Sequence, residues 1–186
     1  MGVPSPRIRI HRRSGTLLSP PMPTSGMSEL SPGMPAPDFC LPDADEETVC
    51  LADLAGRYAV VYFYPKDNSS GCTLEARSFS DEMEAFSRLD TPVFGVSPDS
   101  AGSHKRFIAK HDLAVRLLPD PDHRVIEAYG AWVLKKLYGR EYMGVERSTF
   151  IIDPEGSIAA VWRKVKVKGH AAEVLARLEA LRAAAR

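Results

Sequence analysis

Residues Arg57–Ala76, "RYAVVYFYPKDNSSGCTLEA", join a continuous apolar run to a turn and then to a single cysteine. The run Arg57–Tyr64 is rich in β-branched and aromatic residues and has strand length, so it reads as a strand buried on both faces. From Cys72 onward Leu74, Phe79, Met83, Phe86 and Leu89 recur at helical spacing, which predicts one amphipathic helix that begins at the cysteine. A strand buried on both faces and then a helix suggests a parallel sheet with crossover helices.

The flanking sequence extends that reading. Upstream, Phe39–Leu41 and Thr48–Leu51 are short strands around the acidic turn "PDADEE". Downstream come a strand at Pro92–Ser97, a helix near Ser103–Lys110, a short strand near Arg116–Leu118 and a helix near His123–Tyr129 closed by Gly130. "RSTFIIDPEGSIAAVWRKV" gives two strands joined at Asp153–Gly156, and the chain ends in a helix over His170–Ala184. The expected class is α/β: a thioredoxin-like fold with a central mixed sheet flanked by helices.

Composition narrows the partners. The 186 residues are 44% hydrophobic, enough for one domain with a core, and 24 basic side chains balance 24 acidic ones. Zero net charge gives no field that would draw the chain to nucleic acid or to an anionic membrane. No apolar run approaches membrane-span length. Residues 1–28, with four arginines, no acid and several prolines, read as a disordered extension that lies upstream of a second possible start at Met27; 29–186 is the folded domain. Cys40, Cys50 and Cys72 are odd in number and lack metal-type spacing, which argues against both a disulfide scaffold and a structural metal site, so a reducing, cytoplasmic setting is expected. The five histidines show no ligand spacing; His123 reads as a helix-start residue, and Arg163–Lys168, "RKVKVK", as a solvated edge.

What Cys72 can do follows from its position. The first helical turn offers free N–H donors and the positive end of the dipole, both of which favour a thiolate over a thiol. Asn68, Ser69 and Ser70 are good N-cap types, and Gly71 lets a backbone or ligand approach closely. A lone cysteine is also often a small buried hydrophobe. Thiol–disulfide exchange of the Cys-x-x-Cys kind fits poorly because Glu75 stands three residues on. Cysteine phosphatase chemistry fits poorly because Arg77 is five residues on where six are needed.

Peroxide reduction is the third chemistry, and here whole motifs carry a likeness. Pro65-x-x-x-Ser69-x-x-Cys72 resembles the peroxiredoxin signature Pro-x-x-x-(Thr/Ser)-x-x-Cys. "VVYFYPKDNSSGCTLEA", "PAPDFCLPDADEETVCLADLAG", "GVERSTFIIDPEG" and "VWRKVKVKGHAAEVL" are similar to the Q-type branch, the bacterioferritin comigratory proteins, from about Ser31 to the end.

The resemblance implies a thiol-dependent peroxidase for hydrogen peroxide and organic hydroperoxides. Cys72 would be the peroxidatic nucleophile and Ser69 a hydrogen-bonding group for the peroxide; Pro65 would shield the sulfur. Arg147 would stabilise the thiolate, and Glu75 would orient Arg147. No metal or organic cofactor is implied. Thioredoxin or a similar thiol is the implied reductant, and a monomer or weak homodimer the implied state. Many Q-type members have a resolving cysteine five residues after the peroxidatic one. Arg77 occupies that position, which favours a one-cysteine cycle with Cys40 or Cys50 as the minority resolver. The contrasting expectation is a thioredoxin-fold module that binds proteins and has no peroxidase activity.

Overall fold

The computed structural model describes residues 29–186; the expectations for residues 1–28 lie outside them. The buried strand is there as expected: β3, Ala59–Phe63, is buried at all five positions. It pairs in parallel with β4, Val93–Ser97, and β4 in parallel with β5, Arg116–Pro119. On its other side β3 pairs antiparallel with β8, Ser148–Ile152, which pairs antiparallel with β9, Ile158–Trp162. The order β5-β4-β3-β8-β9 is a five-stranded mixed sheet, as the sequence implied.

Strand periodicity divides the core in two, because successive side chains leave a strand on opposite faces. Val61 and Phe63 enter one cluster with Phe94, Val96, Tyr129 and Phe150. That face is covered by the hairpin of β1, Cys40–Pro42, and β2, Thr48–Cys50, through Phe39 and Val49, and by α4, Arg124–Ala128, through Val125 and Ile126. Val60, Tyr62 and Tyr64 enter the opposite cluster. There they meet α1, Ser70–Asp81, α2, Met83–Arg88, α3, Ala101–His111, and α5, His170–Ala184. Gly95 is required on β4: a Cβ there would sit 2.6 Å from the Tyr62 ring, which itself stacks on Phe79 of α1 at 4.7 Å.

Several expectations need correction. The single helix after Cys72 is two, because Glu82 leaves helical geometry at φ −93°, ψ 0° between α1 and α2. Leu74, placed on the apolar stripe, is 52% exposed; the buried side of α1 is Cys72, Glu75, Ala76 and Phe79. And the argument against a disulfide fails: Cys40 and Cys50, opposite each other in β1 and β2, form one, which leaves Cys72 as the free cysteine among the described residues.

A further hairpin was not anticipated at all. β6, Trp132–Leu137, pairs with β7, Arg140–Val145, as a separate two-stranded ribbon turned at Tyr138-Gly139. Its outer side chains are mostly exposed, so no buried pattern marks it in the sequence. Arg163, read as part of a solvated edge, instead lies over the Phe150 ring at 5.0 Å and faces Glu29 at 3.5 Å. No helix among the described residues is long and apolar enough to cross a membrane.

Candidate active site

The site forms where β3 ends and α1 begins. Tyr64, just past β3, gives a last backbone N–H to Val96 O at 3.1 Å, and the half-buried Pro65 after it has no N–H to continue the ladder. Asn68 takes a left-handed backbone, φ 61°, a conformation that asparagine tolerates better than most residues. Ser69 is the N-cap of α1, but its side chain does not cap: the hydroxyl donates to the Lys66 carbonyl at 2.9 Å. The carbonyl of Ser69 receives both the N–H and the hydroxyl of Thr73, at 2.9 and 2.8 Å, which closes the first helical turn around the cysteine.

Cys72 is 1% exposed, packed on the Tyr62 and Phe79 side of the core. The structure brings Arg147 and Glu75 to it. Arg147 precedes β8, and its carbonyl accepts the N–H of Val165 at 3.0 Å, which ties down the backbone from which the guanidinium projects. Its Nη2 donates to Cys72 Sγ at 3.3 Å, while Nη1 makes an ion pair with Glu75 Oε2. The planar fork thus spans the sulfur and the carboxylate together, which a lysine would not do. Gly71 makes room for it: a Cβ at that position would lie 3.2 Å from Arg147 Nη2.

The electrostatics are those of a charge cluster held out of water. Burial pushes the Glu75 carboxyl up to about 7 against the pull of Arg147. Burial acts to lower the Arg147 pKa, but the facing Glu75 and Cys72 overcome it and the net shift is upward, so the guanidinium is a fixed cation at any working pH. Glu75 is 1% exposed and its second oxygen, Oε1, finds no partner among the described residues. One carboxylate therefore serves one cation.

Behind this site stands a network that sequence reasoning missed. Asp67, two residues after Pro65 and 5% exposed, accepts hydrogen bonds from Tyr64 Oη at 2.6 Å and Ser103 Oγ at 2.7 Å. His104 Nδ1 lies 2.8 Å from the same carboxylate. These bonds outweigh burial and hold the Asp67 carboxyl below its ordinary value. The Asp67 N–H donates to Asp99 Oδ2 at 2.9 Å, so the end of β4 and the start of α3 clamp the loop that leads to Cys72. "PKD" gave the only local hint, since an aspartate in a turn usually bonds its own backbone rather than a histidine 37 residues away. His123 is the N-cap of α4 and stacks on Trp132 at 4.0 Å, away from this cluster.

A sheet carrying a buried, arginine-paired cysteine at a strand-to-helix turn defines a class, and comparison with known proteins agrees with it. Residues 32–161 match the AhpC/TSA family model, and the chain belongs to that family, the peroxiredoxins, which are thiol peroxidases. Within it the similarity is to the Q-type or bacterioferritin comigratory branch. Peroxiredoxin Bcp of Bacillus subtilis is 52% identical over 147 residues, 79% of this chain and 94% of that protein. A cysteine mutant of Xylella fastidiosa peroxiredoxin Q superposes with a TM-score of 0.78 at 36% identity, covering 82% of this chain and 98% of that one. The Xanthomonas campestris bacterioferritin comigratory protein, solved in work on its alkyl peroxide reduction, gives 0.76 at 38% identity, covering 81% and 98%.

Proposed function

We propose that Cys72 is the peroxidatic cysteine and that it reduces hydrogen peroxide and small organic hydroperoxides in a one-cysteine cycle. The observation that carries the reading is the Arg147 fork, 3.3 Å from Cys72 Sγ and anchored by the buried Glu75. A fixed cation in a site shielded from water stabilises the thiolate and then the charge that develops on the peroxide oxygens, without reorganising at the moment of reaction. The Cys72 thiolate attacks one peroxide oxygen, the O–O bond breaks, and the leaving oxygen departs as water or alcohol once it takes a proton. Cys72 is left as a sulfenic acid. Ser69 reaches the peroxide after its hydroxyl turns from the Lys66 carbonyl, a single-bond rotation. Pro65 shields the sulfur from water on the β3 side. The alkyl peroxide chemistry of the Xanthomonas campestris relative supports organic hydroperoxides as substrates.

The second half of the cycle rests on an external thiol such as thioredoxin. Arg77 stands five residues beyond Cys72, exposed, and the other two cysteines are already joined to each other. Their hairpin packs through Phe39 and Val49 on the sheet face opposite the cluster that contains Cys72. A disulfide needs Cα atoms within about 7 Å, so neither Cys40 nor Cys50 serves as resolver without dismantling the sheet between them. The reductant's thiolate attacks the sulfenic sulfur and water leaves; a second thiol then releases Cys72. Because Cys72 is 1% exposed, the first turn of α1, held by the two Ser69–Thr73 hydrogen bonds, opens for that step.

Mass spectrometry after one equivalent of hydrogen peroxide in the presence of dimedone tests the cycle. A dimedone adduct on Cys72 is expected, with the Cys40–Cys50 bond untouched. A dominant disulfide between Cys72 and either Cys40 or Cys50 overturns the one-cysteine cycle, and absence of any Cys72 oxidation overturns the assignment of the nucleophile.

A further inference from the structure

Two of the three cysteines have no part in the proposed peroxide chemistry, yet they face each other across a hairpin. Cys40 and Cys50 are direct cross-strand partners in β1 and β2. Leu51 N–H donates to Phe39 O at 2.9 Å and Asp43 N–H to Glu47 O at 2.8 Å. Pairs 39/51 and 43/47 are therefore hydrogen-bonded, and by alternation 40/50 is a non-hydrogen-bonded pair, the kind in which side chains sit closest. Cys40 is exposed and Cys50 half-buried. Beside Cys40 opens a groove of about 480 Å³ whose walls include Pro42, Ala101, Pro119, Pro121 and Val125.

The hairpin does not depend on the sulfur bond for its shape. Phe39 and Val49, each 5% exposed, anchor it in the core. Asp43 binds the backbone N–H groups of Asp45 and Glu47, each at 2.9 Å, and pairs with Arg116 of β5 at 2.6 Å. With the bond open, backbone pairing still holds the two thiols side by side, so closing it again costs little chain entropy. A disulfide that is exposed and not needed for the local fold belongs with the exchangeable kind rather than the inert structural kind.

We propose that Cys40 and Cys50 are a reversible dithiol–disulfide centre, separate from Cys72, that exchanges electrons with an external dithiol entering from the Cys40 side. The thiolate of the incoming dithiol attacks Cys40 Sγ; the Cys40–Cys50 bond breaks, and Cys50 leaves as a thiolate that takes up a proton. The second thiol of the reductant, as thiolate, then attacks its own mixed-disulfide sulfur, and Cys40 departs and is protonated. The protein gains two electrons and two protons, and the reductant becomes a disulfide. A small disulfide such as oxidised glutathione runs the sequence backwards.

The test uses full-length Cys72→Ser, which removes the peroxidase sulfur, so its outcome does not depend on the peroxidase reading. The folded variant is equilibrated in dithiothreitol without denaturant, quenched with iodoacetamide and weighed. Two added carbamidomethyl groups are expected with the circular dichroism and melting transition of a folded protein, and oxidised glutathione should then restore the intramolecular bond. A bond that yields to dithiothreitol only after denaturant is added, or a reduced hairpin that does not reclose, overturns the proposal. Direction is read from Cys50→Ser and Cys40→Ser, each in the Cys72→Ser background. The variant that keeps Cys40 should form the glutathione mixed disulfide several-fold faster, and the opposite order overturns entry from the Cys40 side.

Discussion

Two sulfur sites on opposite faces of the sheet differ in nearly every physical respect. Cys72 is buried, sits in the first turn of a helix and is served by a cation and a carboxylate; Cys40–Cys50 lies on a separate two-stranded hairpin, exposed on one side, where each sulfur's partner is the other sulfur. In the proposed cycle the first arrangement prepares one thiol to attack an oxygen by stabilising charge in a site that excludes water. The second, in the proposed exchange, holds two sulfurs in register across a hairpin. Reactivity toward peroxide thus depends on the groups around a cysteine, and reactivity toward thiols on access and on a neighbouring sulfur.

Substitution at the sulfurs gives the sharpest contrast. Cys72→Ser should abolish peroxide consumption in a single-turnover assay, and any retained consumption by that variant breaks the distinction. Next in size is Arg147→Met, which removes both the cation and the donor to Sγ; a fall on the order of 100-fold in the peroxide rate is expected. A stopped-flow rate equal to the parent's would take Arg147 out of the site.

Glu75→Gln keeps the shape but loses the charge that aims the arginine, and a roughly tenfold slower peroxide step is expected. It also carries a pH signature. The Glu75 carboxyl titrates at 4.5 unfolded and about 7 folded, so the folded state prefers the protonated acid. Its contribution to stability is fully present below 4.5 and is lost as the pH rises through 7. Glutamine does not titrate, so the parent should gain stability relative to Glu75→Gln on going from pH 7.5 to pH 4.5. Histidine 170, whose pKa burial lowers to about 4, acts in the opposite direction but equally in both proteins, and cancels from the difference. Urea midpoints at several pH values decide this; a flat difference removes Glu75 as a buried titrating group.

Gly71→Ala is subtler. Its new Cβ, 3.2 Å from Arg147 Nη2, should nudge the guanidinium and slow the peroxide step by roughly threefold, measured against an unchanged melting temperature. The smallest effect on peroxide belongs to the other sulfur site. Paired Cys40→Ser and Cys50→Ser substitutions should leave the single-turnover rate at the parent's value while lowering stability by about 2–3 kcal/mol, the chain-entropy value for a short loop. A loss of peroxide rate in that variant would tie the two sites together.

Local pattern made much of this protein legible. β3 and the strands beside it are written as apolar runs and the turn at Asp153–Gly156 in its own residue types, because a few neighbouring residues suffice to set strand and turn. Pro65, Ser69 and Cys72 lie within eight residues, and Arg147 carries its own flanking motif, so the candidate residues of the proposed site could be named before its geometry. The Glu82 break between α1 and α2, the bare outer faces of β6 and β7, and the burial of Asp67 against His104 could not, since each depends on what another part of the chain packs there. The cysteine count argued against a disulfide, and the structure has one, because pairing depends on register: a spacing of ten residues along the chain says nothing until β1 and β2 lie antiparallel with Cys40 opposite Cys50. The sequence by itself singled out Cys72 as the candidate nucleophile and determined the class of fold around it, both from short segments. Only the tertiary structure decided which charges meet at the sulfur, which carboxyl is forced out of water and which two cysteines touch, because those depend on distances between segments that the folded core alone brings together.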